Sequence, residues 1–464
     1  MITNLPELIV DKKNPFMNCK LSREGYANIL TQIVSKYEKG GVVAINGKWG
    51  IGKTTFVRMW KQSLENDGFE TLYFNVWKDD YITDPLIGLI AQMQLICKTE
   101  ADKERFSRMV DSASKIMASA FPAILKGFTK KIIGEECADV VYDSLNNLAD
   151  GFKKEIANYH EQHHSVEGFR KLISEFVASC GSDKPVIFMV DELDRCNPSY
   201  AVKVLERIKH LFDIPNIVFV LSIDKVQLCS SIRGYYGTDA FNAEEYLQRF
   251  INLEYHLPEP NFEVFCKYLY EIYGYSALLE NGNYRLHEES MFFLSFSQRL
   301  FKKMGLSLRE MDRIYAHARL TLQTFDRNRI EYLLVLVLLI YIRKTDIDFY
   351  IGLKGYKLTL QQIIDYFESE TYKDVFLNDD SRDNSLMHSI YALVEFISMY
   401  SKRNYGHKDE PLILDDGNTL AFECRVFDKE EILYVIRNVC APSQCEPMSY
   451  LFNHIDLLTS LKDV

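Results

Sequence analysis

The chain has few of the features that announce a membrane, secreted or zinc-binding protein. No apolar run approaches the roughly 20 residues that a spanning helix needs. The most apolar stretch, YLLVLVLLIYI at 332–342, has 11 residues and reads as a buried core helix. No CxxC pair occurs among the ten cysteines, so neither a zinc ribbon nor a disulfide framework is expected. Cys440 and Cys445, the closest two, read as free thiols, and a reducing, intracellular setting follows. Positive charge is not in excess: 54 Lys+Arg stand against 65 Asp+Glu, a net charge of -11. The chain therefore has no overall basic footprint for nucleic acid. Its first residues, MITNLPELIVDKKNPF, contain no positive segment leading into an apolar one, so no secretory signal is expected. Repeats, low-complexity tracts, GxSxG and HExxH are all missing. The His163-His164 pair reads as a solvated loop rather than a metal site.

What is present is an ordinary globular composition, 47% hydrophobic over 464 residues, enough for two to four domains. One stretch is unusually poor in side chain. GKWGIGKTT at 47–55 fits G-x-x-x-x-G-K-[ST] through Gly47, Gly52, Lys53 and Thr54. A strand is expected before it at Val42–Asn46. A helix is expected after it, with Phe56, Trp60 and Leu64 on one face and Gly68 past its end. In that setting the backbone N–H groups of Gly47, Lys48, Trp49, Gly50, Ile51, Gly52, Lys53, Thr54 and Thr55 are candidates to wrap a polyphosphate. Lys53 would reach the β- and γ-phosphates, and the Thr54 hydroxyl would sit on Mg²⁺. The alternative is a tight strand-to-helix turn that binds nothing.

A phosphate loop requires an acidic partner, and KPVIFMVDELDRCNPS at 184–199 supplies one. Val186–Val190 is an unbroken apolar run, as a buried parallel strand requires. Asp191 at its end is placed to hold Mg²⁺, and Glu192 to orient or deprotonate the attacking water. Asn197-Pro198 reads as the cap and first residue of a helix whose face is Val202, Leu205, Ile208 and Leu211. Further strands are expected at 216–225, 71–80 and 251–260. Ser222 and Asp224 end the first of these, and a polar group there is a candidate contact for the γ-phosphate or the lytic water; the alternative is an ordinary polar strand end. Strands alternating with helices indicate an α/β domain whose ligand sits at the carboxyl ends of a parallel sheet.

These segments, in this order, resemble the KAP family of P-loop NTPases: GKWGIGKT, FNVWKDDYITDPL, VIFMVDELDRC, VLERIKHLFDIPNIVFVLSIDK and YLQRFINLEYHLP. Trp49 inside the loop and the DRC after the acidic pair are features of that family rather than of P-loops at large. The resemblance covers about 41–260 and weakens to about 320. It implies a Mg²⁺-dependent nucleotide site, ATP favoured and GTP not excluded. The implied core is ASCE-type, with one strand between the loop strand and the acidic strand. Family members often read DDLDRC; the Glu of DELDRC here strengthens the case for hydrolysis. Many members also carry membrane helices between the two motifs, whereas this chain has a helix-friendly insertion at 98–165 and no spanning segment.

The expected organisation is an N-terminal helical segment (1–40), the core with its insertion (41–260), a helical lid (261–325) and a helical C-terminal domain (326–464). Within the lid, Ser307 is a possible-by-pattern cap and Arg309 a candidate nucleotide sensor. Arg249, ahead of the last core strand, is a candidate charge-stabilising finger for a neighbouring subunit, or else one half of a local salt bridge. Three functions compete: a hydrolase acting as a conformational switch or oligomeric sensor, a nucleotide-holding scaffold with little turnover, and a DNA-acting motor or loader using local clusters such as Lys126, Lys130 and Lys131. In a bacterial setting the resemblance suggests phage defence. Partners are expected to be further copies or another protein, bound through the insertion and the C-terminal region. The expected place is the cytoplasm, with membrane contact peripheral at most, and nucleic acid ranks last.

Overall fold

The computed structural model describes residues 9–82, 84–120, 167–180, 183–209, 214–279, 284–325, 332–377, 385–402, 409–415, 418–438 and 447–460. They divide into two compact units, one over Leu8–Pro258 and the other beginning at Glu259.

The first unit is built on five strands: β1 (Gly41–Asn46), β2 (Thr71–Asn75), β3 (Val186–Asp191), β4 (Ile217–Ile223) and β5 (Leu253–His256). All pairings are parallel, in the order β2-β3-β4-β1-β5. β4 thus separates the loop strand from the acidic strand, the ASCE arrangement expected of the sequence. The three inner strands β1, β3 and β4 are buried almost from end to end, which is why they read as continuous apolar runs. Their side chains alternate between two cores. Val43, Ile45, Ile187, Met189, Val218 and Val220 pack with helices α1 (Glu24–Val34) and α2 (Lys53–Asn66). Val42, Ala44, Phe188, Val190, Phe219 and Leu221 pack with the helices of the other face. Those are α3 (Pro85–Met93), α4 (Glu100–Ala120), α5 (167–180), α6 (Pro198–Lys209), α7 (Lys225–Tyr236) and α8 (Ala243–Gln248).

Element ends have local causes. The 71–80 run stops as a strand at Asn75, because the Asn75 side-chain oxygen accepts from the backbone N–H of Lys78 at 3.0 Å and turns the chain. The 251–260 run yields only Leu253–His256; Pro258 and Pro260 lack the N–H a ladder needs. The 216–225 run ends at Ile223, since Asp224 caps α7 by accepting from the N–H groups of Val226 and Gln227. Helix α6 starts at Pro198 as expected, with Asn197 accepting from Ser199 N at 3.0 Å; Val202, Leu205 and Ile208 are buried, and Leu211 lies outside the described residues.

The start of the 98–165 stretch belongs to the core rather than projecting from it. Met109 and Ala113 of α4 are buried in the same cluster as Phe188 and Phe219. Residues 121–166, with Pro122, Lys126, Lys130, Lys131 and the His163-His164 pair, lie outside the described residues, as do Cys440 and Cys445. Among the described residues every cysteine is free. No described helix is long and apolar enough to cross a membrane.

The second unit is helical. Its centre is the helix Leu333–Thr345, the apolar run of the sequence, in which residues 333–342 are all buried. Helix Leu308–Gln323 opens with Ser307 and Glu310 in a reciprocal capping box, so the expected cap at Ser307 is present.

Candidate functional site

The loop of 47–52 joins β1 to α2 at the carboxyl edge of the sheet. Its glycines answer to separate constraints. Gly52 caps α2 at φ 88°, ψ 32°, a left-handed conformation that side chains resist. Gly47 is fixed by packing: a Cβ there would lie 2.3 Å from Ile51 Cδ1, and Ile51 is itself buried against Leu257 and the α2 core. Lys53, the first residue of α2, is 8% exposed. Its Nζ turns back into the loop and donates to Gly47 O at 2.5 Å and Lys48 O at 3.2 Å. Burial pushes its pKa below the ordinary lysine value, against the pull of Asp194, Asp224 and Asp191. Lys48 is exposed, and Thr54 and Thr55 are half-buried in the first turn.

Three carboxylates face this cation from the ends of β3 and β4. Asp191 is 1% exposed; its Oδ2 accepts from the Tyr73 hydroxyl at 2.8 Å and its Oδ1 from Glu192 N at 3.0 Å. Asp194 is 4% exposed, and its Oδ2 alone collects Trp49 Nε1 at 2.5 Å, Asp224 N at 2.9 Å and, as an ion pair, Lys53 Nζ at 3.9 Å. Burial raises its pKa, partly offset by Lys53 and by the Trp49 hydrogen bond. Asp224 closes the ring through Oδ2, which accepts from Trp49 N at 3.0 Å. The two sequence features particular to this loop and this acidic turn, Trp49 and the Asp of DRC, are therefore two ends of one hydrogen bond.

Glu192 stands apart from this ring. Its backbone is left-handed at φ 63°, ψ 28°, which costs a non-glycine residue on the order of 1 kcal/mol. The side chain is clamped on both oxygens: Asn75 Nδ2 donates to Oε2 at 2.8 Å and the Arg195 guanidinium to Oε1 at 2.8 Å. Parallel register explains the first contact, because Asn75 is paired with Asp191, the residue before Glu192. Arg195 in turn lies over the half-exposed Trp77 ring, 5.8 Å from its centroid.

Ser222 is in register with both Ile45 of β1 and Asp191 of β3. It is 1% exposed, and its hydroxyl has no hydrogen-bond partner among the described residues. A buried hydroxyl is normally satisfied, so this one fits an oxygen-rich ligand at the sheet edge. Asp191 fits a divalent cation: each oxygen accepts one hydrogen bond and keeps further lone pairs.

The structure thus gathers Gly47–Thr55, Asp191, Glu192 and Ser222 along one edge of the sheet. Arg249 follows α8 with its side chain 72% exposed, and its guanidinium is 3.7 Å from Glu245 one turn back. Arg309 is exposed in the first turn of Leu308–Gln323, in the other unit. Sequence reading passed over Asn75 and Tyr73, and did not foresee that Asp194 and Asp224 both bind Trp49 or that Arg195 holds Glu192. An indole N–H in a glycine loop is a signal that an acceptor must be near, and would have pointed to the acids.

A model of the KAP family P-loop domain matches residues 23–325, well over half the chain. No curated protein matches it significantly. Among solved structures it is similar to the ORC2 protein of Aeropyrum pernix in ADPNP–ADP complexes, at 12% identity, 80% of this chain, 94% of that chain and a TM-score of 0.29. It is also similar to a DNA replication initiation factor, at 11% identity, 97% and 96% coverage and a TM-score of 0.26.

Proposed function

The chain belongs to the KAP family of P-loop domains, and from that premise we propose that it binds and hydrolyses a nucleoside triphosphate, ATP in preference to GTP, with Mg²⁺, as a conformational switch or oligomeric sensor. The observation that carries this reading is the buried Lys53 ammonium, held by two loop carbonyls and faced by acids from the ends of β3 and β4. A polyphosphate offers that cation a better partner than a backbone carbonyl.

In this reading the Thr54 hydroxyl and the Asp191 carboxylate would hold Mg²⁺. An ion held there would supply positive charge against the charge that develops on the phosphates. Lys53 binds the same oxygens, and the Ser222 hydroxyl donates to the γ-phosphate or to the attacking water. Glu192 is the general base. A carboxylate with one hydrogen bond on each oxygen is oriented, and each oxygen keeps a further lone pair for water. Asn75 and Arg195 thus aim the Glu192 carboxylate. A clamp that brings Oε2 to the attacking water only on rearrangement gives a switched hydrolase; one that never does gives the second reading, a nucleotide-holding scaffold. Arg249 keeps its candidate role as a finger for a second copy, and Arg309 its candidate role as a nucleotide sensor. The wider role in bacterial phage defence rests on the family alone.

Glu192→Gln separates the two readings. It keeps Lys53, Thr54 and Asp191 and removes the base, so ATP binding is retained while kcat falls on the order of 10²-fold. Equal turnover in the two proteins would remove Glu192 from the chemistry.

A further inference from the structure

Arg23 lies far from both motifs in the sequence, immediately before α1. Its side chain is nonetheless buried, at 3% exposure, beneath the phosphate loop. One guanidinium nitrogen donates to Ile51 O at 2.7 Å and Pro258 O at 3.5 Å, and the other to Gly52 O at 3.1 Å. The backbone that delivers it is held in sparsely populated conformations. Ser22 has φ 52°, and Arg23 sits at φ -89°, ψ 0°. Two such residues in succession persist only where the surroundings over-determine them.

The contact has a directional consequence. In a trans peptide the C=O of one residue and the N–H of the next point to opposite sides. Drawing the Ile51 and Gly52 carbonyls down onto Arg23 therefore turns the N–H groups of Gly52 and Lys53 the other way. Gly52, at φ 88°, has no side-chain preference to hold that orientation by itself. Each contact is a charge-assisted hydrogen bond, and the guanidinium's fork reaches two successive carbonyls at once.

We propose that Arg23 is a positioning residue for phosphate: it fixes the Gly52 and Lys53 N–H donors toward the β-phosphate of a nucleoside di- or triphosphate, without touching it. The inference rests on the nucleotide reading above. A lysine at 23 keeps the charge but presents a single ammonium, which cannot brace both peptides as the fork does.

The test is titration of the full-length parent, Arg23→Met and Arg23→Lys with Mg-ATP, well below their unfolding temperatures, reading affinity and stoichiometry separately. Arg23→Met should bind at full stoichiometry with Kd raised roughly tenfold, the effect of about 1.4 kcal/mol. Arg23→Lys should fall between it and the parent. A residue that merely supports the fold would lower stoichiometry, as molecules are lost, and leave Kd unchanged; that result overturns the proposal, as does parent affinity in both variants. If Arg23→Met does not fold, Arg23→Lys decides alone, by a raised Kd at full stoichiometry or by none. A parent that binds no ATP defeats the nucleotide reading itself, and the Arg23 proposal with it.

Discussion

Both units bury charged side chains, and they use them differently. In the helical unit Arg299 and Glu368 are spent on backbone. The Arg299 guanidinium, 5% exposed, donates to Val375 O at 2.6 Å and to the carbonyls of Asp374 and Leu377, around the end of the short helix Lys373–Phe376. Glu368, 8% exposed, accepts from three successive N–H groups, those of Arg425, Val426 and Phe427, at 2.8–3.0 Å through Oε1. In the sheet unit Arg23 makes the same kind of contact; Lys53 also donates to backbone, at Gly47 O and Lys48 O, but it faces Asp191, Asp194 and Asp224 as well. A charge satisfied by backbone locks a segment in place. Charges that face one another across a strand edge are stabilised by partners that an anionic ligand can replace. Three successive N–H groups on one carboxylate oxygen are the kind of contact proposed for the loop at 47–55 with phosphate, here met by a side chain of the same protein.

The comparison breaks most visibly at Lys53. Lys53→Ala should weaken ATP binding by on the order of 10³-fold or more, because a charge-assisted contact to two phosphates is lost in a buried setting. Melting should change far less, since Lys53 is held with a lowered pKa and its charged form is not favoured by the fold. The sign follows: a lysine whose folded pKa lies below its unfolded value of 10.5 makes folding less favourable at neutral pH, and this cost is relieved as pH rises through the folded pKa toward 10.5. ATP affinity should fall over that same alkaline window as the ammonium deprotonates. An affinity that holds unchanged to the pH of an ordinary lysine would place the cation elsewhere.

The helical unit should show the opposite split. Arg299→Met leaves buried carbonyls without a charged donor, and should destabilise by about 3 kcal/mol, the upper range for such bonds. ATP affinity of the folded protein should not move. A change in Kd without a change in stability would mean that Arg299 serves the site after all, and the contrast between the units would fail. Both quantities come from one denaturant series with and without nucleotide.

How much of this was legible in the sequence depends on how local each feature is. The glycine loop is eight consecutive residues, four of them fixed by a steric or charge requirement, so spacing alone marks it as a candidate phosphate site. Asp191 and Glu192 stand out as candidates for a similar reason, as the end of an apolar run. The strand order came from family likeness, since no periodicity tells which parallel strand lies between two others. What stayed hidden depends on register across the sheet. Asn75 meets Glu192 only because β2 pairs with β3 at Asn75 and Asp191. Arg23 meets the loop only because α1 and α2 share a face of the sheet. The strand at 71–80 was read too long because the turn at Asn75 is made by its side chain, and an asparagine fits a strand end and a turn alike. Trp49 and Asp194 were each noticed, yet their pairing spans 145 positions and is a fact of folding alone.

That pairing gives the smallest effect and the finest test. Trp49 Nε1, Asp224 N and Lys53 Nζ all converge on Asp194 Oδ2. Asp194→Asn can place its amide oxygen where Oδ2 was, keep both neutral hydrogen bonds and delete only the charge. Asp194→Ala deletes everything and strands two buried donors, at about 1–3 kcal/mol each. If Asp194 is a brace for the loop, Asn should fold like the parent and Ala should not. Removing one negative charge beside the phosphates should also tighten ATP binding in Asn by a few-fold at low salt, an effect that fades as ionic strength rises. Since burial raises the Asp194 pKa, its ionised form opposes folding: that cost is absent below the unfolded value of 3.8 and grows as pH rises through the folded pKa. Asn should therefore gain stability relative to the parent on the neutral side of that window and not on the acid side. The same comparison excludes a role as the base: with Glu192 intact, turnover in Asp194→Asn should stay within about threefold of the parent, far from the 10²-fold loss that marks a missing general base. A loss of that size in Asp194→Asn, with ATP still bound, would move proton abstraction from the clamped Glu192 to the buried acid between the loop and β4.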